Sequence, residues 1–210
     1  MKLHPDAFLL AALRDAMAYH PDVFVFSGDL VHEGNGDDYA YFFNMVKAIT
    51  LPTPTVFALG NHDIKTEFRA TLCAQAGGRD ERAVFPTAQR MTPPYGLPYT
   101  AIQEIGGYRF VNIDTAIEKS PHGSLDADQQ SWLRDTLTTP AEKGTILVGH
   151  HPMRSRQQWY DVDFADLLED PSPTTDIFLY LCGHTHFGEV RQIGSVLQGA
   201  SKPSPTASKR

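Results

Sequence analysis

Cysteine is scarce in this chain of 210 residues: Cys73 and Cys182 are the only two, far apart and in no CxxC pair. They build neither a disulfide framework nor a thiolate metal cluster, which suits a reducing compartment and makes the cytoplasm the expected location. Cys182 ends an apolar run just before a glycine and reads as buried packing. Long apolar runs are lacking too. None approaches the roughly 18 residues of a membrane span, so the expectation is a soluble protein with no membrane partner. Met1 to Leu13 holds no basic segment followed by a continuous apolar run, so no secretory leader is expected. Positive charge is in deficit: 18 Lys and Arg face 25 Asp and Glu, a formal charge of -7. That balance opposes nonspecific attraction to nucleic acid or anionic lipid, and an anionic substrate has to be drawn by local charge such as metal. A P-loop is missing as well, since GNG at Gly34 to Gly36 runs into no GK followed by Ser or Thr and reads as a turn.

What is present alternates helix and strand. Asp6 to Tyr19 carries an apolar stripe at Phe8, Leu9, Ala12, Leu13 and Ala16, a helix stopped by Pro21. Val23 to Ser27 and Thr55 to Leu59 are short continuous apolar runs, read as strands buried on both faces. Tyr39 to Ile49 and Lys65 to Ala76 read as helices, the second closed by Gly77 and Gly78. The stretch from Gly77 to Pro98 is rich in Gly, Pro and Arg and reads as a long loop that frames a pocket. Tyr99 to Ile105 and Tyr108 to Ile113 flank Gly106 and Gly107, the signal of a β-hairpin. Asp126 with Gln129 predicts a capping box for a helix through Leu137. Thr145 to Val148 and Ile177 to Leu181 read as strands, Phe164 to Leu168 as a short helical piece, and Glu189 to Gln198 as a hairpin turning at Gly194 and Ser195. The expected organisation is one α/β domain over residues 1–201 and a disordered tail over 202–210.

Four of these strands end in similar chemistry: GDLVHE at Gly28 to Glu33, GNHD at Gly60 to Asp63, GHHP at Gly149 to Pro152 and GHTH at Gly183 to His186. Glycine opens each segment, allowing a sharp exit from the sheet and a close backbone approach. Taken singly, each is ordinary turn sequence. Open α/β sheets, however, place ligands beyond the carboxyl ends of their strands, so the four can meet in one crevice. One carboxylate, one amide and three histidines, with no thiolate, suit Mn, Fe or Zn.

In this order the segments resemble the signature of the calcineurin-like metallophosphoesterase superfamily over about residues 5 to 200. The resemblance implies a layered αββα sandwich with mixed sheets and one or two divalent metal ions. It implies Asp29 as the ligand that bridges two metals, Asn61, His150 and His184 as the rest of one shell, and His186 on the other ion. His150 is taken over His151 because it stands two residues before Pro152. His62 matches the family's catalytic histidine, which contacts phosphate and protonates the leaving oxygen. Asp63 is expected to orient that imidazole, with capping of the following helix as the plainer alternative. The implied reaction is hydrolysis of a phosphodiester or small phosphomonoester by hydroxide that metal activates. Its partner is thus a small phosphate-ester substrate, and the alternative is a non-catalytic metal-binding or scaffold member.

One part of the signature is absent: no aspartate is followed two places later by histidine. Only Lys2, Leu3 and His4 stand near its place, so the other metal keeps Asp29 and His186, with His4 or His32 as partial substitutes. Either the chain starts after a lost first strand, or it is a variant holding one metal through Asp29, Asn61, His150 and His184. The first is preferred, because a lost central strand bares apolar sheet edge. His32 and Glu33 replace the tyrosine of purple acid phosphatases and the arginine of Ser/Thr protein phosphatases, so the pattern looks most similar to bacterial phosphodiesterases of the cyclic-nucleotide type. Arg154 and Arg156 read as solvated loop residues, with a substrate contact as the alternative.

Overall fold

A computed structural model describes residues 5–50, 52–75, 100–156, 158, 161–164 and 176–201. Helix α1 (Pro5–Met17) leads to strand β1 (Phe24–Ser27), helix α2 (Gly36–Thr50), strand β2 (Thr55–Ala58) and helix α3 (Lys65–Gln75). Then come β3 (Ala101–Ile105), β4 (Tyr108–Asn112), α4 (Ala127–Thr136), β5 (Thr145–Val148), β6 (Ile177–Cys182), β7 (Glu189–Ile193) and β8 (Val196–Ala200). The expected long loop, the helical piece beyond Phe164, the tail from Lys202 and the segment with Lys2, Leu3 and His4 lie outside the described residues.

Two sheets result. β1 and β2 pair in parallel, and the larger mixed sheet runs β3-β4-β5-β6-β8-β7. Side chains alternate across each strand, so successive residues build different layers. Val56 and Ala58 of β2 face Phe110, Ile146 and Val148 of the larger sheet, forming a core between the sheets. Phe24 and Phe57 point the other way, into an aromatic cluster with Tyr39, Phe42, Phe43 and Phe68 from α2 and α3. Behind the larger sheet, Val111, Leu147, Tyr180 and Cys182 pack on Leu133 and Leu137 at α4. The layers are therefore helices, sheet, sheet, helix. Cys182 is buried, and its thiol donates to the Gly199 carbonyl at 3.7 Å.

The glycine hairpin forms in the expected register, Ile105 opposite Tyr108, with Gly106 and Gly107 both at positive φ. Three local readings need correction. β1 was expected to be covered on both faces, yet only Phe24 in it is buried, because among the described residues β2 is its one paired neighbour. Gly34 to Gly36 does more than turn: Asn35 caps α2, accepting the Asp38 N–H at 2.9 Å and donating to the Asp38 carboxylate at 2.7 Å. At α4 only half of the capping box exists. Asp126 accepts the Gln129 N–H at 2.8 Å, while the Gln129 amide is taken up by the backbone of Asp114 at 3.0 and 3.1 Å.

Candidate metal centre

The four glycine-led segments leave the carboxyl ends of β1, β2, β5 and β6, two from each sheet. Their side chains meet around one atom, Nε2 of His150. Asn61 Oδ1 lies 3.2 Å from it, His184 Nδ1 3.2 Å and Asp29 Oδ2 3.4 Å. On the other side of the ring, His150 Nδ1 donates to the Ser27 carbonyl at 2.7 Å. A neutral imidazole with its proton on Nδ1 presents a lone pair at Nε2, as a metal-binding histidine must. Two oxygens and a second imidazole nitrogen thus stand within 3.4 Å of this lone pair. Those three separations from Nε2 are close to the edge of about 3.3 Å of a tetrahedron with bonds near 2.0 Å. The donor set fits a divalent ion of the Mn, Fe or Zn kind.

Backbone conformation holds the set together. Gly28 sits at φ +92, and Asp29 and His184 adopt left-handed φ of 53 and 65. Non-glycine residues rarely take this conformation, at about 1–2 kcal/mol each. Gly60 serves space instead of φ: a Cβ there would run into the Asp29 carboxylate and its backbone N–H. The Asn61 carbonyl accepts the Lys119 N–H at 2.7 Å, which ties this segment to the loop after β4.

Charge follows from the same geometry. Burial opposes ionisation of Asp29, but the hydrogen bond and charge of His150, with the His62 N–H, outweigh it and hold this carboxyl below its usual range. Burial also disfavours a charged His150, yet the Asp29 carboxylate and the Ser27 carbonyl raise its pKa. His184 is lowered to about 4, first by burial and then by the charge of His150. His151, fully buried, is lowered to about 2 for the same two reasons, His184 adding to them.

Of the next two predicted residues, His62 and Asp63, only Asp63 stands elsewhere than expected. His62 is exposed, its backbone N–H donates to Asp29 Oδ1 at 3.1 Å, and its Nδ1 lies 3.1 Å from the His32 carbonyl. The His32 ring stacks on it at 5.2 Å. Asp63 does not meet the His62 ring, and it does not cap α3. Its carboxylate is fully buried and accepts the Gly60 N–H at 2.8 Å, the Leu30 N–H at 3.2 Å and the Tyr39 hydroxyl at 3.0 Å. It joins the loops that carry Asp29 and Asn61 and anchors both to α2. Burial pushes its pKa up to about 6 despite those bonds. The first turn of α3 is met by Glu118, which accepts the Lys65 N–H at 2.9 Å. His186 is exposed at φ 59, near enough for its charge to act on His184. Arg154 pairs with Asp163 at 3.3 Å, and Arg156 lies 3.9 Å from Glu189.

Sequence reasoning missed Tyr39 and Thr115. Tyr39 was read only as the start of a helix; it is buried in the core, and its hydroxyl is also part of the Asp63 anchor. Thr115 follows β4 in the segment Asn112 to Thr115, a strand end that is polar without the glycine and histidine that marked the other four.

A family model for calcineurin-like phosphoesterases matches residues 3–188. The chain belongs to the calcineurin-like phosphoesterase family. Among curated relatives, it is 29% identical over 181 residues to a probable cyclic nucleotide phosphodiesterase of Moraxella catarrhalis, covering 84% of this chain and 62% of that one. A cAMP/cGMP dual specificity phosphodiesterase of Mycobacterium tuberculosis is 31% identical over 175 residues, covering 80% and 49%. A probable glycerophosphodiester phosphodiesterase of Arcobacter nitrofigilis is 25% identical over 179 residues, covering 79% and 57%. The chain therefore spans about half to three-fifths of these relatives. Among solved structures, a Thermus thermophilus protein superposes with a TM-score of 0.63 at 14% identity, covering 93% of this chain and 83% of that one. A purple acid phosphatase from yellow lupin gives 0.60 at 13%, covering 95% and 40%. These likenesses establish the mixed α/β fold of the family. Among the described residues, no helix is long and apolar enough to cross a membrane.

Proposed function

We propose that this chain is a metal-dependent phosphoesterase that hydrolyses a phosphodiester or a small phosphomonoester. The observation that carries the reading is the meeting of Asp29, Asn61 and His184 around Nε2 of His150. These four residues would hold one ion, and Asp29 with His186 would contribute to a second. A divalent cation, when bound, supplies positive charge against phosphate oxygens and a source of hydroxide at neutral pH.

The chain's own residues do the rest. Ser27 holds the His150 ring so that its lone pair stays on the ion's side. Asp29 divides its carboxylate, Oδ1 taking the His62 N–H and Oδ2 facing His150. His62, with Nδ1 donating to the His32 carbonyl, keeps Nε2 for the substrate, where a protonated ring can give its proton to the leaving alkoxide. The names of the Moraxella and Mycobacterium relatives support cyclic nucleotides as the first substrates to try, and that of the Arcobacter relative supports glycerophosphodiesters as the second.

The test is hydrolysis of bis(p-nitrophenyl) phosphate, 3',5'-cAMP and a glycerophosphodiester by the purified chain with Mn(II), Fe(II) or Zn(II), alongside elemental analysis. Expected is metal-dependent turnover that falls on the order of 100-fold or more in H62Q. A folded chain that binds stoichiometric metal and turns over none of these esters would sink the enzyme reading and leave a metal-binding scaffold.

A further inference from the structure

Thr115 is fully buried just beyond β4, on the loop that leads to α4. Its side-chain oxygen accepts the backbone N–H of His150 at 3.2 Å and that of His151 at 2.9 Å. A hydroxyl oxygen has two lone pairs, so these bonds use up its capacity to accept. Its hydrogen is left, and among the described residues the acceptor within reach is Nδ1 of His151, at 3.3 Å. Donation in that direction leaves Nδ1 bare and places the proton of a neutral imidazole on Nε2.

Nε2 of His151 is buried and makes no hydrogen bond of ordinary geometry among the described residues, although the Pro121 carbonyl acts on the ring as a backbone acceptor. Such a nitrogen admits two uses. With a lone pair it would be a third imidazole ligand, and one ring nitrogen each of His150, His151 and His184 do lie within 4.8 Å of one another. With a proton it turns a positive edge to any cation and can only donate. The accounting at the Thr115 hydroxyl selects the second use.

We propose that Thr115 is a positioning residue of the metal centre, its one hydroxyl holding the backbone of His150 and fixing His151 as an Nε2–H donor in place of a third imidazole ligand. This rests on the metal-centre reading above. Its consequence is a shell of two imidazoles and two oxygens, with His151 acting through its neighbour: its ring packs on that of His184 at 4.2 Å and backs the ligand.

The decisive measurement is the histidine-ring nitrogen spectrum of ¹⁵N-labelled protein, metal-free and with Zn(II), combined with calorimetric titration of Zn(II) into wild type, T115S and T115V. The His151 signals are assigned by their loss in H151Q. Expected are a neutral His151 protonated on Nε2 before and after zinc, ring nitrogens of His150 and His184 that shift on binding, and zinc affinity kept in T115S. T115V, matched in shape, is expected to lose about 10-fold or more in affinity. Circular dichroism confirms that it is folded. A proton on Nδ1 of His151, a zinc-induced shift of its Nε2 like those of the ligands, or a T115V affinity equal to wild type overturns the proposal. Should T115V fail to fold, the wild-type tautomer and T115S decide alone. Wild type that takes up no zinc overturns the metal-centre reading and this inference with it, whereas normal uptake with the wrong tautomer overturns only the latter.

Discussion

A proton and a divalent ion compete for the same lone pair at His150, and this sets how the metal-free chain responds to pH. The pKa of His150 is raised above 6.5, so the stability it contributes is fully present below 6.5 and is lost as pH rises through its folded value. His151 and His184 are depressed, to about 2 and about 4, so their contribution is present above 6.5 and is lost as pH falls. Asp63, raised to about 6, takes up a proton in the folded state first and offsets one of those two histidines on the acid side. Denaturation in the presence of a chelator is therefore expected to show greatest stability near pH 6 to 6.5, falling on both sides. Saturating Zn(II) is expected to remove the alkaline fall, because the ion takes the proton's place; an alkaline fall that persists with zinc bound contradicts this assignment. At Asp63 itself, D63N turns one accepting oxygen into a donor facing N–H groups. The expected cost is about 2–4 kcal/mol in urea denaturation, with weaker metal binding. The four residues that converge were legible at this scale because Asp, Asn and His directly after a strand-ending glycine have few structural uses in common. The role of Asp63 was not, since a carboxylate beside a catalytic histidine reads as its partner unless the N–H groups of Leu30 and Gly60 are already in place, and those arrive only with the fold.

Short strands and their exits are the elements on which the site depends. In β2 every residue is buried, and at the glycine two residues after it the chain passes against Asp29. Gly60→Ala is expected to cost about 2 kcal/mol by displacing that carboxylate, and to reduce metal affinity far more than its loss of stability alone would predict. Parallel denaturation and calorimetry check it, and an unchanged affinity would show that Asp29 tolerates the shift. Element boundaries were readable to within one to three residues for the helices and strands, because apolar periodicity and glycine or proline punctuation coincide here. The half-capping at Gln129 was unreadable, because a glutamine in the first turn can serve its own cap or a distant backbone, and only the approach of Asp114 decides between them.

Across the whole molecule an α/β domain was legible in the alternation of short buried runs with amphipathic helices and the layered sandwich came with the family resemblance, but the division of strands between sheets was in neither. Nothing local to Val23 through Ser27 says that β1 pairs with β2 alone among the described strands, or that Val190 and Leu197 of the β7–β8 end stay 70% and 41% exposed. Substituting Lys for Val190 is accordingly expected to change stability by less than about 0.5 kcal/mol, in contrast to about 2–5 kcal/mol for Leu147→Ala in the core behind β5. Thermal unfolding of the two variants tests the contrast.

Because Asp29 and Asn61 leave one sheet while His150 and His184 leave the other, a cation held by all four works as a rivet through the seam. An ion at 100 times its dissociation constant adds about 2.7 kcal/mol to the folded state. Much of that reinforcement should be felt far from the chemistry, as slower amide hydrogen exchange in β1 and β2. Withdrawing the ion ought to let the smaller sheet breathe before the larger one does.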